Sequence, residues 1–458
     1  MGYNSLIYNS GKSSIDKKWV EYSLGELNNR IFKKNKIDIK NSIIINSVNK
    51  NQLYKILDNP NNRVEWYSTS LLLPPNSNIG LPDKIPIIFK LNESIDQNNL
   101  IIKNENKVIF NFDIVAATFF MLSRFEEIHC NEKDEHCRFP FDKSFAYING
   151  FLDRPIIDEY ALIIQNWIKY LFPNWELPKN QFKFNISHDI DLLYDKKIFT
   201  SNKQIIRNIK KYIISFDYRK VFQVLVKGLK YQFGIKVNKR YISGIETLIS
   251  LLEKSNLKST FYFMGAEKKQ YDQGYDIFEF KSLIKNITDR NHEIGFHPGY
   301  HTMDDGKRMI EEKSKIDQVL LKPTTKSRQH YLRFIVPNTY WLLFKCGIKY
   351  DSTLGYSKVN GFRAGTCYPF KPYDIKKDIV IPIIENPLVV MDKTLIINNI
   401  TENKIRERFL FFTKICKTVG GQFNFLLHNN TISEIEPALK KLIISLIHET
   451  SLLERKDK

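Results

Sequence analysis

Long apolar runs and cysteines are both scarce in this sequence of 458 residues, and each scarcity excludes a class of protein. No stretch approaches the roughly 18 uninterrupted apolar residues that a membrane-spanning helix needs. The first residues are polar and contain no apolar run of secretory-signal length. The five cysteines are too few, and odd in number, for a secreted disulfide scaffold, and they favour reduced thiols. We therefore expect a soluble cytoplasmic protein.

Acidic residues are outnumbered, since 69 lysines and arginines face 50 aspartates and glutamates and give a net charge of +19. This excess suits an anionic partner such as nucleic acid, a phosphorylated substrate or a membrane face, but a lysine-rich solvated surface also explains it. No nucleic-acid-binding motif is recognisable, so we expect no nucleic-acid partner. The hydrophobic content of 43% is enough for sizeable cores and excludes a disordered chain.

Residues 1–178 are predicted to form an α+β domain of unknown role. A β-hairpin is predicted around residues 104–106, where an Asn-Glu-Asn turn separates two apolar segments. Apolar residues at helical spacing predict helices over residues 113–128 and 157–172. No spacing in this half of the chain is typical of an active site.

Two His-Cys pairs in this half, His129-Cys130 and His136-Cys137, consist of residue types that bind zinc. The segment between them is charged, and no second pair of ligands follows at zinc-finger spacing. A surface loop is therefore the preferred interpretation.

Residues 179–458 alternate between predicted strands and helices, which indicates a parallel sheet, open or closed into a barrel. A basic insertion at about 196–243 interrupts the pattern. Between residues 196 and 240 there are thirteen lysines and arginines and a single acid, Asp217. Apolar and cationic residues alternate there at helical spacing, as expected of a helix pair lying on an anionic membrane. A helical cap with a solvated basic face is the alternative.

Polar residues follow three of the predicted strands. Asp189 and Asp191 are two apart in an extended segment, so both carboxylates would face one cavity. Because neighbouring carboxylates repel each other, a metal ligand and a general base form a natural division of labour. His297 and His301, at positions i and i+4, can chelate one ion from a helical turn. His428 ends the third strand and can protonate a leaving group.

The order of these motifs carries a family resemblance. The Asp motif, the strand Ser-Thr-Phe-Tyr-Phe at 259–263, the His-x3-His motif, an arginine segment and Leu-Leu-His at 426–428 resemble the polysaccharide deacetylase superfamily, also called the NodB-homology domain. The resemblance covers about residues 182–428. It implies a distorted (β/α) barrel with fewer than eight strands, and a divalent metal, usually zinc. The whole chain resembles a bacterial subgroup in which a smaller N-terminal domain precedes the barrel, and which is associated with surface polysaccharide synthesis.

The resemblance also implies a role for each matching residue. The three implied metal ligands are Asp191, His297 and His301. The three implied catalytic residues are the base Asp189, the acid His428 and Arg328, which would pair with the base.

The chain departs from the family pattern at two points. Ile190 separates two aspartates that are usually adjacent, so the base and the metal ligand could exchange between Asp189 and Asp191. Gln329 follows Arg328 where the family has proline, so Arg333 could be the pairing arginine instead.

Three further residues are expected near the substrate. Arg363 is a candidate substrate contact, and the backbone N–H near Tyr331 is a candidate donor to the reacting oxygen. His330 could touch the metal or the substrate, and a substrate or structural contact is the preferred role.

The expected function is metal-dependent hydrolysis of the acetamide, or acetyl ester, of an N-acetylated sugar or glycan precursor. We expect the protein in the cytoplasm, where the basic insertion could bring it to the inner face of the membrane. This location favours a lipid-linked or nucleotide-linked precursor, because both carry phosphate that the basic insertion can bind. Three alternatives remain open: a cyclic-imide or ureide ring opener, a catalytically inactive carbohydrate-binding or scaffold member of the same fold, and a nucleic-acid-binding protein.

Overall fold

The computed structural model describes residues 6–9, 17–33, 37–39, 41–48, 51–58, 63–77, 79–92, 94–179, 181–193, 202–232, 240–272, 274–398 and 401–456. Within these residues, no helix is both long enough and apolar enough to cross a membrane. The elements fall into an N-terminal region, defined as the described residues up to 175, and a sheet region that follows it.

The N-terminal region combines two small sheets with seven helices. Its strands are β1 (Ile7–Asn9), β2 (Ile43–Asn46), β3 (Glu65–Ser68), β4 (Lys84–Ile87), β5 (Ile101–Asn104) and β6 (Lys107–Phe110). Its helices are α1 (Lys17–Ile31), α2 (Asn51–Asp58), α3 (Thr69–Leu72), α4 (Ile114–Leu122), α5 (Phe125–His129), α6 (Phe145–Ile148) and α7 (Ile156–Leu171). Four strands pair in the order β1-β2-β6-β5, and β3 pairs with β4. The predicted hairpin is confirmed, because β5 and β6 are antiparallel.

The helix predicted over residues 113–128 is interrupted. Asp113 caps α4 as expected, because its side chain accepts the N–H of Ala116 at 2.7 Å. Arg124 then adopts a φ of 55°, which ends the helical run. The buried Arg124 guanidinium pairs with Glu127, Nε to Oε1 at 2.8 Å. Helix α5 begins directly after Arg124, at Phe125. The second predicted helix is present as α7.

The sheet region contains the remaining strands and helices. The strands are β7 (Lys183–Ile190), β8 (Ser259–Phe263), β9 (Glu293–Phe296), β10 (Lys326–Ser327), β11 (Tyr350–Asp351), β12 (Tyr373–Asp374), β13 (Ile379–Val380), β14 (Ile384–Glu385), β15 (Val390–Met391) and β16 (Gln422–Leu426). The helices are α8 (Asn202–Ile214), α9 (Tyr218–Gln232), α10 (Arg240–Lys254), α11 (Lys281–Asp289), α12 (Gly306–Leu320), α13 (Asn338–Lys345), α14 (Asp392–Ile397), α15 (Glu402–Val419), α16 (Asn429–Glu434) and α17 (Pro437–Lys456).

Eight strands form one parallel sheet in the order β14-β11-β10-β9-β8-β7-β16-β15. Seven of them line a cavity of about 1290 Å³, so the sheet curls around an interior. The expected α/β architecture with a parallel sheet is present, and the sheet has eight strands rather than fewer. It stays open in the described part of the chain, because β14 and β15 lie at opposite edges.

The two regions share buried contacts. The core of the N-terminal region includes five residues from the segment between β11 and β14, namely Leu354, Tyr356, Ala364, Phe370 and Tyr373. Arg363 of this segment pairs with Glu127, Nη2 to Oε2 at 2.6 Å. Arg30 pairs with Asp158 at 3.0 Å, and Asp158 also accepts the backbone N–H of Cys367 at 2.7 Å. Apolar and ionic contacts therefore join the N-terminal region to the loops of the sheet.

Candidate functional site

The candidate site lies at the edge of the sheet where its strands end. β7 ends at Ile190, β9 at Phe296, β10 at Ser327 and β16 at Leu426. Because the carboxyl ends of parallel strands meet at one edge, the polar residues that follow these strands are brought together. The strands fix the position of the backbone, and the polar side chains of the site lie at the strand ends and in the loops that follow.

Three side chains form a group that can hold a metal ion: Asp191, His297 and His330. Asp191 Oδ1 lies 3.3 Å from His297 Nε2 and 3.5 Å from His330 Nδ1. The two imidazole nitrogens are 3.1 Å apart. Within the described residues, no other group of His, Cys, Asp and Glu side chains meets this geometry.

Backbone carbonyls set the tautomer of both histidines. His297 Nδ1 donates to the carbonyl oxygen of Arg328 at 2.5 Å, and His330 Nε2 donates to the carbonyl oxygen of Tyr271 at 3.2 Å. Each neutral imidazole therefore turns the lone pair of its other nitrogen toward Asp191. Hydrogen bonds of this kind orient the histidine ligands of metal sites.

The three atoms fit a bound dication. Two nitrogen lone pairs and a carboxylate oxygen converge without a proton between them, and Asp191 Oδ1 is buried with no hydrogen-bond partner. Tetrahedral zinc with bonds of about 2.0–2.1 Å places its ligand atoms about 3.3 Å apart, close to the separations observed here. The donor set of two imidazoles and one carboxylate suits zinc and other divalent transition metals.

Asp189 lies beside this group and is held by an arginine. Arg328 Nη1 donates to Asp189 Oδ1 at 3.1 Å, and Asp189 Oδ2 lies 4.0 Å from His297 Nε2. Arg328 is buried, with its guanidinium 4.7 Å from the centre of the Tyr262 ring. A side chain at Gly295 would meet that ring, because its Cβ would lie 2.4 Å from Tyr262 Cδ1. Gly295 in β9 therefore leaves room for the Tyr262 ring, which packs against the Arg328 guanidinium.

His428 stands on the other side of the carboxylates. Its Nδ1 donates to Asp392 Oδ1 at 2.7 Å, and its backbone N–H donates to Asp392 Oδ2 at 2.8 Å. Its Nε2 lies 3.9 Å from Asp191 Oδ2. Lys393 completes this side, with Nζ 3.4 Å from the same Asp191 oxygen.

The electrostatics favour an ionised carboxylate at the centre. Burial alone would raise the pKa of Asp191, but the positive charge of Lys393 beside it holds this pKa well below its usual range. Burial opposes ionisation of Asp392 in the same way, and the adjacent His428 lowers the pKa of that carboxyl. Both acids therefore carry a negative charge at neutral pH.

The structure does not place His301 with the other predicted ligands. His301 Nε2 lies 3.0 Å from the carbonyl oxygen of Gln270, and His330 occupies the third position of the group. Histidines at i and i+4 share one face only in a helical turn, but Gly299 between them is extended, with φ −66° and ψ 170°. The two imidazoles consequently do not share a face.

The structure places Arg363, the predicted substrate contact, in a buried ion pair. Its side chain is buried, donates from Nε to Glu127 Oε1 at 2.8 Å and from Nη1 to the carbonyl oxygen of Gly355 at 2.9 Å. It joins the N-terminal region to the sheet region. Arg333, the alternative partner for the base, donates instead to the backbone carbonyl of His136 at 2.8 Å. Arg328 is thus the arginine that meets Asp189.

Tyr331 lies at the rim of the site. The residue is 38% exposed, and the centre of its ring is 4.7 Å from the centre of the His330 ring. From the sequence, His330 is expected to make a substrate or structural contact rather than to bind the metal, but the geometry groups it with Asp191 and His297.

Sequence reasoning missed Asp392 and Lys393. They directly follow the two-residue strand β15, so that an acid comes straight after an apolar strand, as Asp191 comes after Ile190 at the end of β7. The shortness of β15 hid this signal, because a strand of two residues has no readable alternation.

The two His-Cys pairs do not form a metal group in the described part of the chain. His129 Nδ1 lies 2.7 Å from the carbonyl oxygen of Phe125, one turn earlier in the chain. His136 Nδ1 lies 3.1 Å from Tyr300 Oη in the sheet region. His129 is the last residue of α5, so only the segment after it is a loop.

The chain has similarity to several known proteins. Residues 10–173 match a family of unknown function, DUF7033. No curated protein matches the sequence. A structure from Mycobacterium smegmatis, assigned provisionally as a polysaccharide deacetylase, is similar with a TM-score of 0.38 and 14% identity, over 60% of this chain and 85% of that one.

Two further solved structures are similar. Puue allantoinase has a TM-score of 0.38 and 13% identity, over 60% of this chain and 86% of that one. A family 4 carbohydrate esterase from Streptomyces lividans, solved with acetate, has a TM-score of 0.28 and 16% identity, over 47% of this chain and 83% of that one. Because these scores and identities are low, the function proposed below rests on the side chains of this chain.

Proposed function

We propose that the protein is a metal-dependent hydrolase that removes the acetyl group from an N-acetylated sugar or glycan precursor. The observation that carries the proposal is the convergence of Asp191, His297 and His330 beside two oriented proton-transfer groups. The order of motifs in the sequence, which resembles polysaccharide deacetylases, supplies the acetylated sugar as the substrate class. Zinc is the proposed metal.

Each side chain has a separate task. When bound by Asp191, His297 and His330, a dication would polarise the acetyl carbonyl and lower the pKa of an attacking water. Asp189 accepts the proton that this water loses, through Oδ2, because Oδ1 is occupied by Arg328. The new bond joins the water oxygen to the acetyl carbon.

His428 completes the reaction by donating a proton from Nε2 to the sugar nitrogen as the carbon–nitrogen bond breaks. Asp392 holds the ring in the required orientation through Nδ1 and stabilises its charged form. The products are acetate and a free amine. For an acetyl ester the same proton would go to the leaving oxygen.

Acetate release from acetylated sugars tests this proposal. The zinc-loaded protein would be incubated with N-acetylglucosamine, its β-1,4-linked oligomers and O-acetylated sugars, with allantoin as a ring amide for comparison. Acetate should appear from a sugar substrate, should cease with a chelator and should return with zinc. Ring opening of allantoin without acetate release from any sugar would contradict the proposed substrate class.

We propose further that helices α8 and α9 contact an anionic membrane surface, which would place the enzyme at the cytoplasmic face of the inner membrane. These helices lie in the basic insertion and follow β7, the strand that carries Asp189 and Asp191. Large apolar side chains are exposed along the two helices and in the turn between them: Ile206, Ile213, Ile214, Phe216, Tyr218, Phe222, Leu225 and Leu229. The insertion's single acid, Asp217, is paired with Lys220 at 2.7 Å.

Exposed apolar residues in a segment with a large excess of lysine and arginine match a surface of anionic lipid, and they favour a lipid-linked substrate. Sedimentation of the full-length protein with vesicles of phosphatidylcholine alone or with phosphatidylglycerol tests this contact. The protein should sediment only with the anionic vesicles, and Phe216→Ser with Phe222→Ser should abolish this binding. Leu321→Ser is the control, because Leu321 is 91% exposed on the sheet region. Equal sedimentation of all variants would contradict the contact.

A further inference from the structure

Four aromatic rings meet next to the candidate metal group. Tyr271 and Tyr300 are stacked, with ring centres 4.3 Å apart, and Tyr331 lies 5.4 Å from Tyr300. His136 of the N-terminal region closes the cluster, with its ring 4.8 Å from Tyr331 and 5.4 Å from Tyr271. We call these four residues the aromatic cluster.

The aromatic cluster is continuous with the candidate metal group. The carbonyl of Tyr271 accepts the hydrogen bond that orients His330, and the ring of Tyr331 stands edge-on to His330, 4.7 Å away at 85°. A substrate whose acetyl group lies at the metal group would therefore have its adjoining part beside these rings.

Two members of the cluster remain open to solvent. Tyr271 and Tyr331 are each 38% exposed, whereas Tyr300 is buried beneath them, with the Arg333 guanidinium 3.9 Å from its ring centre. Exposed tyrosines supported by buried aromatic and cationic groups form a rigid platform. Rings of this kind offer an apolar face and a polar hydroxyl to a ligand that is itself amphipathic.

The backbone at Tyr331 is held in a conformation that L residues rarely adopt. Tyr331 and Leu332 have φ values of 60° and 52°. Arg138 of the N-terminal region donates from Nη1 to the carbonyl of Tyr331 at 2.6 Å, and Arg333 Nε donates to the carbonyl of His136 at 2.8 Å. Reciprocal contacts between the two regions thus keep the Tyr331 ring at the rim, and strain of this kind is concentrated at functional sites.

A groove adjoins the cluster along the boundary between the two regions. Its volume is about 290 Å³, and its lining includes Arg138 and Phe139 from the N-terminal region and Leu332 and Tyr356 from the sheet region. Because Leu332 follows Tyr331 and Arg138 binds the Tyr331 carbonyl, this groove begins next to the cluster.

We propose that the aromatic cluster is a carbohydrate subsite that binds the sugar unit next to the one being deacetylated. The apolar face of that sugar ring stacks on Tyr331 and Tyr271, and His136 offers a hydrogen bond to its hydroxyl groups. The N-terminal region thus supplies part of the binding site, and the enzyme prefers an oligosaccharide to a monosaccharide. This inference rests on the proposed function, since it names the substrate's length.

Direct binding to the zinc-loaded, full-length Asp189→Asn variant tests the subsite without turnover. The probes are N-acetylglucosamine and its β-1,4-linked tetramer, and the dissociation constants are measured by calorimetry. The tetramer should bind about tenfold more tightly than the monomer. Adding Tyr331→Leu or His136→Leu should remove this preference, while zinc stoichiometry stays unchanged. Tyr170→Leu is the matched control, because Tyr170 is 37% exposed on α7.

The outcomes separate the two proposals. Equal affinity for monomer and tetramer, absence of tetramer binding, or a preference that survives both Tyr331→Leu and His136→Leu would overturn the subsite. Acetate release by the wild type alongside any of these results would leave the proposed function standing. A tetramer preference lost in both variants would support the subsite even if no acetate were released.

Discussion

Arg328 meets Asp189 through a single hydrogen bond, Nη1 to Oδ1 at 3.1 Å, and leaves the other carboxylate oxygen directed toward the candidate metal group. Three further bonds restrain the guanidinium: Nη1 to Ser187 Oγ at 2.8 Å, Nε to the Ser352 carbonyl at 2.9 Å and Nη2 to Ser352 Oγ at 2.9 Å. One oxygen of the base is thus held while the other is available to accept a proton.

Arg328→Gln should therefore lower kcat by about 10²-fold, because the base loses its charge partner and its orientation. Arg328→Lys should retain more activity, since it restores the charge without the paired geometry. Steady-state kinetics with zinc analysis of each variant checks this expectation. Equal kcat for Gln and Lys variants would mean that the charge of residue 328 does not act on Asp189.

Asp189→Asn should lower turnover by about 10²–10⁴-fold with zinc still bound, because the variant keeps the shape of the side chain and loses the basic oxygen. Asp191→Asn should instead reduce zinc binding, because the amide is a weaker ligand than the carboxylate. Parallel measurement of kcat and zinc content in the two variants decides which aspartate is base and which is ligand. The reversed pattern would exchange their roles.

His330→Ala should lose zinc on dialysis, whereas His301→Ala should retain it. The reason is that His330 Nδ1 lies 3.5 Å from Asp191 Oδ1 while His301 contacts the Gln270 carbonyl. Atomic absorption after dialysis against dilute chelator gives the stoichiometry of each variant. Loss of zinc from His301→Ala with retention in His330→Ala would restore the sequence-based ligand set.

The contrast between these histidines indicates what the sequence could predict. Asp189, Asp191, His297 and His428 lie at or just beyond the ends of strands long enough to be recognised by apolar composition, so parallel-sheet geometry predicts their convergence. The third ligand was not, because it depends on the conformation of a loop. The chain after His297 is extended rather than helical, and spacing alone cannot distinguish the two.

Contacts between distant parts of the chain could not be predicted from the sequence either. Arg363 was a reasonable substrate contact by motif, but its partner Glu127 lies 236 positions earlier. Local sequence patterns cannot predict a buried ion pair between residues so far apart in the chain. The same applies to His136, whose neighbours Tyr271, Tyr300 and Tyr331 become visible only when the two regions are packed together.

Asp392→Asn should lower kcat by about 10²-fold with little change in zinc content, because the amide cannot stabilise the charged ring of His428. Lys393→Met provides a comparison on the adjacent position, since Lys393 contacts Asp191 rather than His428. Stopped assays of acetate release, with zinc analysis, check both variants. Full activity in Asp392→Asn would remove His428 from the role of acid.

Glu312 supports the loop that follows His297. Glu312 of α12 accepts the backbone N–H of Gly299 through Oε2 at 2.8 Å. Burial raises the pKa of Glu312 to about 7, a direction that the negative charge of Asp272 reinforces and the Gly299 hydrogen bond opposes. The folded protein therefore holds this proton more tightly than the unfolded chain does.

The stability contributed by that proton is complete below the unfolded pKa of 4.5 and is lost as the pH rises through about 7. Glu312→Gln keeps an oxygen for the Gly299 N–H and removes the titration. Relative to the wild type, the variant should gain about 3 kcal/mol of unfolding free energy between pH 4.5 and pH 7.5. Urea denaturation of the metal-free proteins at the two pH values measures this difference. Glu311→Gln, an exposed neighbour on α12, is the control and should show no such gain. If Glu312→Gln gained no more unfolding free energy than Glu311→Gln, the carboxyl of Glu312 would not hold the proton. The Gly299 N–H would then be held by a charged Glu312 carboxylate.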